Sequence, residues 1–120
     1  MCGIVASISI DCYNKLLESL YQLQNRGYDS AGICTLSEHT FNIYKYASTY
    51  NESALEKLKK YSSNMKGHTI GIAHTRWATH GPKTDINSHP HISSDGIISL
   101  VHNGIIENYN TLKEFLLKKG

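Results

Sequence analysis

The sequence predicts an α+β fold, and three observations carry that expectation. Short runs rich in β-branched and aromatic residues recur at 2–10, 31–36, 41–47, 69–75 and 97–102. Amphipathic stretches at 14–25, from 51 or 53 onward, and at about 110–119 read as helices. The two kinds of segment come in layers, without the strict strand–helix–strand succession of a parallel sheet. At 120 residues, 40% hydrophobic and 18% charged, the chain has the composition of one small domain. A domain of that size buries roughly 65% of its unfolded surface, which makes a modest core.

Each element has a local justification. In CGIVASISI, residues 2–10, Ile4, Ala6, Ile8 and Ile10 alternate with Val5, Ser7 and Ser9, which predicts a strand buried on at least one face. Asn14 is placed to cap a helix reaching about Asn25, with Leu16, Leu17, Leu20 and Leu23 as its core-facing stripe. Arg26 to Ser30 reads as a turn in which Gly27 is free to take a positive φ. AGICTL (31–36) and FNIYKYA (41–47) predict a hairpin closed across Ser37 to Thr40. In the next helix Leu55 and Leu58 face inward and Lys57, Lys59 and Lys60 outward, and Gly67 ends that region. The strand TIGIAHT (69–75) runs into a polar loop from Arg76 to Pro82, and a second loop spans Asp85 to Asp95. The strand IISLVH (97–102) stops at Asn103-Gly104, and the final helix carries Leu112, Phe115 and Leu116. Gly120 reads as a helix C-cap leading onward, so the chain is expected to be the front part of a longer domain.

Composition excludes several functions. A net charge of +2 is too weak to imply a nucleic-acid or membrane-surface partner. Cys2, Cys12 and Cys34 are an odd set without CxxC spacing, which argues against a disulfide scaffold or a zinc frame and for a reducing compartment, the cytoplasm. The apolar start lacks a basic region and is cut short by Asp11, so it reads as neither signal peptide nor membrane span.

Three constellations could carry chemistry. Once the initiator methionine is trimmed, Cys2 holds a thiol nucleophile and a free α-amine on one residue, with ordinary pKa values of about 8.5 and about 7.7–8.0. An amine poised near neutrality can take the proton of its own side chain. On the opening residues alone, a cysteine in a buried strand is the better fit. In His74-Thr75-Arg76-Trp77-Ala78-Thr79-His80-Gly81, Arg76 offers a planar fork to a carboxylate, and Thr79 and His80 can add hydrogen bonds to the same anion. Trp77 could cover the pocket. A structural ion pair for Arg76 and a core position for Trp77 remain open. In VHNGIIENY (101–109), the Asn103 amide and the Gly104 backbone N–H can form an oxyanion hole, although an isolated Asn-Gly is also a plain turn signal. The histidines His74, His80, His89, His91 and His102 lack an HExxH frame, and no metal site is assigned to them.

MCGIV, RGYDSAG (26–32), GIAHTRWATHG (71–81), HPH (89–91) and VHNGIIENY (101–109), in that order, resemble the N-terminal glutaminase domain of the glutamine:fructose-6-phosphate amidotransferases. The resemblance covers essentially the whole chain and implies the αββα sandwich of N-terminal nucleophile hydrolases, incomplete at its C-terminal end. It implies Cys2 as nucleophile with its own amine as base, and Asn103 and Gly104 as the oxyanion hole. Arg76, Thr79 and His80 would hold the α-carboxylate of L-glutamine, and Trp77 would stand where ammonia leaves. His89 resembles a position near the interface with an isomerase region, and Arg26 to Ser30 would shape the floor of the site. No cofactor is implied. Fructose 6-phosphate would be the partner substrate, handled by sugar isomerase domains that this chain does not contain, in a homo-oligomer when full length. The family's acidic residue for the glutamine amino group lies beyond Gly120, so residues 1–120 are expected to be a partial glutaminase domain. Two other readings stand beside this one: a non-catalytic glutaminase-like binding module, and a metal-dependent hydrolase built on the histidines.

Overall fold

In the computed structural model, residues 1–26 and 28–120 are described, the Arg26 side chain apart. The turn role of Gly27 therefore lies outside the described residues. β1 (Gly3–Ile8), β2 (Ser30–Ser37), β3 (Thr40–Ala47) and β4 (Ile70–Arg76) form one antiparallel sheet in the order β1-β4-β2-β3. α1 (Cys12–Leu23) follows β1, and α2 (Ala54–Tyr61) lies between β3 and β4. A two-stranded pair, β5 (His91–Ile92) and β6 (Ser99–Leu100), and a last helix, α3 (Tyr109–Lys119), complete the chain. This antiparallel sheet with three helices is compatible with the α+β class.

β4 is the pivot. It pairs with β1 through Gly3↔Thr75 to Ile8↔Ile70, and with β2 through Ser30↔Arg76 to Leu36↔Ile70. Side chains alternate across a strand, so Ala31, Ile33 and Ala73 share one face. There they meet Leu16 and Leu20 of α1, Leu55 and Leu58 of α2, and Met65 in one buried cluster. Gly71 allows the close approach, since a Cβ there would stand 2.7 Å from Leu16 Cδ1. α2 starts with a reciprocal cap: the Ser53 hydroxyl accepts from the Glu56 N–H, and the Glu56 carboxylate accepts from the Ser53 N–H.

Several expectations need correction. The face of β1 carrying Ile4 and Ile8 is exposed, whereas Gly3 on the opposite face is buried against α1, its Cβ position lying beside Leu23. α1 begins at Cys12, before Asn14; Asn14 donates to the Asp11 carboxylate, and no side chain caps the helix. Its buried residues are Cys12, Tyr13, Leu16 and Leu20, with Leu17 and Leu23 only half-buried. Lys57 is not simply solvated: its ammonium donates to the Ala47 carbonyl at 2.8 Å. The strand expected over 97–102 shortens to Ser99–Leu100. α3 buries none of its residues, and Leu112, Phe115 and Leu116 are exposed. The β2–β3 hairpin turns on Glu38 and His39, both at positive φ (49° and 64°), the conformation a two-residue hairpin loop needs even without Asn or Gly.

The β5–β6 segment lies on the face of the sheet opposite α1 and α2. Gly32, across from His74, makes room for it: a Cβ there would overlap the His89 carbonyl and stand 2.7 Å from Lys45 Cβ. Gly32→Ala is therefore expected to destabilise the fold by about 1–3 kcal/mol through overpacking. The check is the urea midpoint, shifted downward at unchanged slope.

Candidate functional site

The register Gly3↔Thr75 brings the first residues of the chain to the C-terminal end of β4. The Thr75 hydroxyl accepts from the Gly3 N–H at 3.2 Å, and this fixes where Cys2 stands. The Trp77 backbone N–H then donates to Cys2 Sγ at 3.3 Å, while the thiol can donate toward the Trp77 carbonyl at 3.7 Å. From the far end of the chain, Asn103 Nδ2 donates to the Cys2 carbonyl at 3.1 Å. Asn103 Oδ1 in turn meets His74 Nε2 at 2.8 Å.

A cavity of about 980 Å³ opens beside Cys2, lined among others by Arg76, Trp77, Thr79, His80, His102, Gly104 and Tyr109. Arg76 is nearly buried. Its guanidinium donates to the Pro82 carbonyl at 3.1 Å and to the His80 carbonyl, so it pins the loop it begins. Among the described residues it has no carboxylate within ion-pair distance. Its charge and remaining donors are left to the cavity. The alternative of a structural ion pair for Arg76 is thus not met, nor is a core position for Trp77. The Trp77 ring is about two-fifths exposed at the rim, edge-on to Tyr28 with centroids 5.1 Å apart. Thr79 and His80 are exposed, and the His80 ring stands edge-on to Tyr109 at 5.0 Å. Gly104 sits at φ +137°, a conformation that favours glycine, with a Cβ position 3.2 Å from the His102 ring. Asn103 does not line the cavity, although its neighbours His102 and Gly104 do; it is exposed and tied to Cys2.

Asp29, from the stretch expected to shape the floor of the site, and Lys83, Lys45 and Asp85, which the sequence left without a role, position this site. Asp29 is buried at the head of β2. It accepts from the Ala78 N–H at 2.8 Å and pairs with Lys83 at 2.6 Å, so it holds both ends of the loop after β4. Burial alone would raise its pKa, but the Lys83 ammonium, the Ala78 N–H and the charge of Arg76 outweigh it and keep the carboxyl below the usual range. The motif RGYDS gives no hint of this, because the partners lie about 50 residues away. Lys45 on β3 donates to the Ile86 and Ser88 carbonyls, and Asp85 accepts from the Ala47 N–H, which draws the 85–88 loop onto the sheet edge.

The histidines form a stack, not a ligand cage. His74 and His89 lie face to face at 4.3 Å, and His91 packs on His89 at 4.4 Å. Ring nitrogens point within the ring plane, so the stacked pair does not aim its lone pairs at one centre. Among the described residues no group of three His, Cys, Asp or Glu side chains is arranged to hold a metal ion. Nor is any described helix long and apolar enough to cross a membrane.

No family model matches the chain. Curated relatives do. The chain is 51% identical over 121 residues to the glutamine–fructose-6-phosphate aminotransferase (isomerizing) of Caldanaerobacter subterraneus, an alignment covering 100% of this chain and 19% of that protein. It is 48% identical over 122 residues to the enzyme of the same name from Chlorobaculum tepidum, covering 100% and 19%. A probable enzyme of that name from Acanthamoeba polyphaga mimivirus is 46% identical over 121 residues, covering 98% and 20%. The match falls on the N-terminal ~120 residues of these proteins, so the chain spans about a fifth of the length of the curated relatives it matches.

The stack makes a pH prediction. Burial, followed by the neighbouring His74, His91, Arg76 and Lys45, pushes His89 down to about 3, and burial pushes His74 and His91 down as well. A depressed folded-state pKa means that the unfolded chain binds protons first. The contribution of these neutral rings is complete above pH of about 6.5 and is lost as pH falls toward 3. His89→Gln is expected to flatten the fall of unfolding free energy across that window, as followed by denaturant titrations at a series of pH values.

Proposed function

We propose that this chain is the glutaminase part of a glutamine:fructose-6-phosphate amidotransferase, with residues 1–120 forming part of a class II glutamine amidotransferase domain. The observation that carries the reading is the convergence of Cys2, the Trp77 N–H and Asn103, contributed by three distant stretches of chain, at a cavity that also holds the nearly buried Arg76. The likeness to the N-terminal part of enzymes bearing that name supports the choice of L-glutamine as substrate. Fructose 6-phosphate as ammonia acceptor, an isomerase region elsewhere in the protein and a cytoplasmic location follow from the same likeness.

The chemistry assigns each group one task. With Met1 removed, the α-amine of Cys2 takes the thiol proton, directly or through a water. The thiolate attacks the side-chain amide carbon of glutamine. Asn103 Nδ2, whose second hydrogen is free, and the Gly104 N–H receive the charge that develops on the amide oxygen. The carbon–nitrogen bond breaks, the ammonium of Cys2 returns its proton to the leaving nitrogen, and ammonia departs. Water then cleaves the γ-glutamyl thioester to glutamate and restores the thiol. Arg76, with Thr79 and His80 beside it, holds the substrate α-carboxylate. Trp77, at the rim, stands on the exit side.

The finer architecture we infer is an αββα sandwich. The sheet carries apolar residues on both faces: Ile4, Ile8, Ile70 and Cys34 lie opposite the helix-covered side, where Cys34 is buried beside Ser99 of β6 and the three isoleucines are exposed. A sheet with two apolar faces calls for a second layer.

Cys2→Ala is expected to abolish glutamine hydrolysis, and Asn103→Ala to lower kcat by about 100- to 1000-fold. The decisive check is intact mass after exposure to 6-diazo-5-oxo-norleucine. One added label located on an N-terminal Cys2 supports the assignment. A processed chain that hydrolyses glutamine with Cys2 replaced sinks it.

A further inference from the structure

We propose that His74 is a positioning residue that sets the polarity of the Asn103 side-chain amide by donating its Nε2–H to Asn103 Oδ1. This rests on the reading of Asn103 as an oxyanion donor.

The argument starts from which atom can only accept. The Cys2 carbonyl oxygen is 3.1 Å from one end of the Asn103 amide, so that end is the NH2 group. The other end is therefore Oδ1, an acceptor, and it lies 2.8 Å from His74 Nε2. For that contact to be a hydrogen bond, the proton must sit on Nε2. His74 Nδ1 is buried with no partner, which suits a bare lone pair in a neutral ring better than a second N–H. The ring itself is held: it is 1% exposed, stacked on His89, and carried by β4 between two paired strands.

Without His74 the Oδ1 end loses its donor, and among the described residues the Cys2 carbonyl alone is left to hold the amide's orientation. Asn103 is exposed, and it follows a two-residue strand that cannot fix its side chain alone. Rotated by half a turn, the amide would place an oxygen against the Cys2 carbonyl and aim a lone pair where an oxyanion is to form. A residue acting in this way lowers kcat and leaves substrate binding largely intact.

The test is steady-state glutaminase kinetics of the protein as its gene encodes it, with Met1 removed. His74→Phe keeps the ring and its stacking but deletes the donor. Its kcat is expected to fall on the order of 100-fold with KM little changed. His74→Gln, whose amide nitrogen can donate, is expected to recover most of that loss. In an Asn103→Ala background, His74→Phe is expected to do no further harm. Should His74→Phe fail to fold, His74→Asn replaces it in the same cycle, since its shorter amide keeps a donor but falls short of Asn103. Normal kcat in the donor-deleted variant overturns the proposal. So do losses that multiply independently with those of Asn103→Ala, or a folded His74→Gln as impaired as His74→Phe. If the unaltered protein hydrolyses no glutamine, the functional reading itself fails and this proposal with it.

Discussion

Everything at the candidate site depends on the register of β4 between β1 and β2. Gly3 opposite Thr75 and Ser30 opposite Arg76 place three chain segments at one end of the sheet: the start of the chain, the head of β2 with Asp29, and the loop that begins at Arg76. Pleating sends alternate side chains to opposite faces, so a slip of one residue would turn His74 toward the helices and Thr75 away from Gly3. The register is fixed by what the faces carry. Ala73 and Ile33 must meet Leu16, Leu20 and Leu58, and Gly71 must admit α1. The hydrophobic core and the position of the thiol are thus set by one pairing.

The loop after β4 has no core of its own and is held by charge and hydrogen bonds. Asp29 grips it at Ala78 and Lys83, Arg76 reaches forward to carbonyls further along it, and Lys45 and Asp85 fasten the stretch that follows. These contacts join polar groups across the sheet's end, where a hydrophobic anchor would fill the cavity. A loop held in this way stays open to a polar substrate while its backbone is fixed.

Much of this was legible in the sequence, and the failures have physical causes. β-branched runs located β2, β3 and β4, and the start of α2 was narrowed to Asn51 or Ser53, the second of which the structure makes the cap, paired with Glu56. Which face of β1 is covered was not legible, because alternation shows which residues share a face and not which face meets the core. The leucines of α3 follow a helical pattern, yet all three are exposed. In the site, Cys2, Arg76, Trp77 and Asn103 stood out by chemistry and motif. Asp29, Lys83 and the His74–Asn103 contact did not, since each is defined by partners distant in sequence.

The bond between Asn103 and the Cys2 carbonyl joins residues 101 positions apart. Few contacts in a chain of this length close a larger loop, and the entropy of closure must be met before such a contact stabilises anything. The local hairpin of β2 and β3 has no such cost, and β4 can add to it early. The site is therefore among the last parts to assemble. A chain emerging from synthesis carries a thiol and its own amine at its start, but neither the Asn103 amide nor the Gly104 N–H that would receive the developing charge. Reactivity is tied to completion of the fold, and a partly folded molecule exposes an ordinary cysteine.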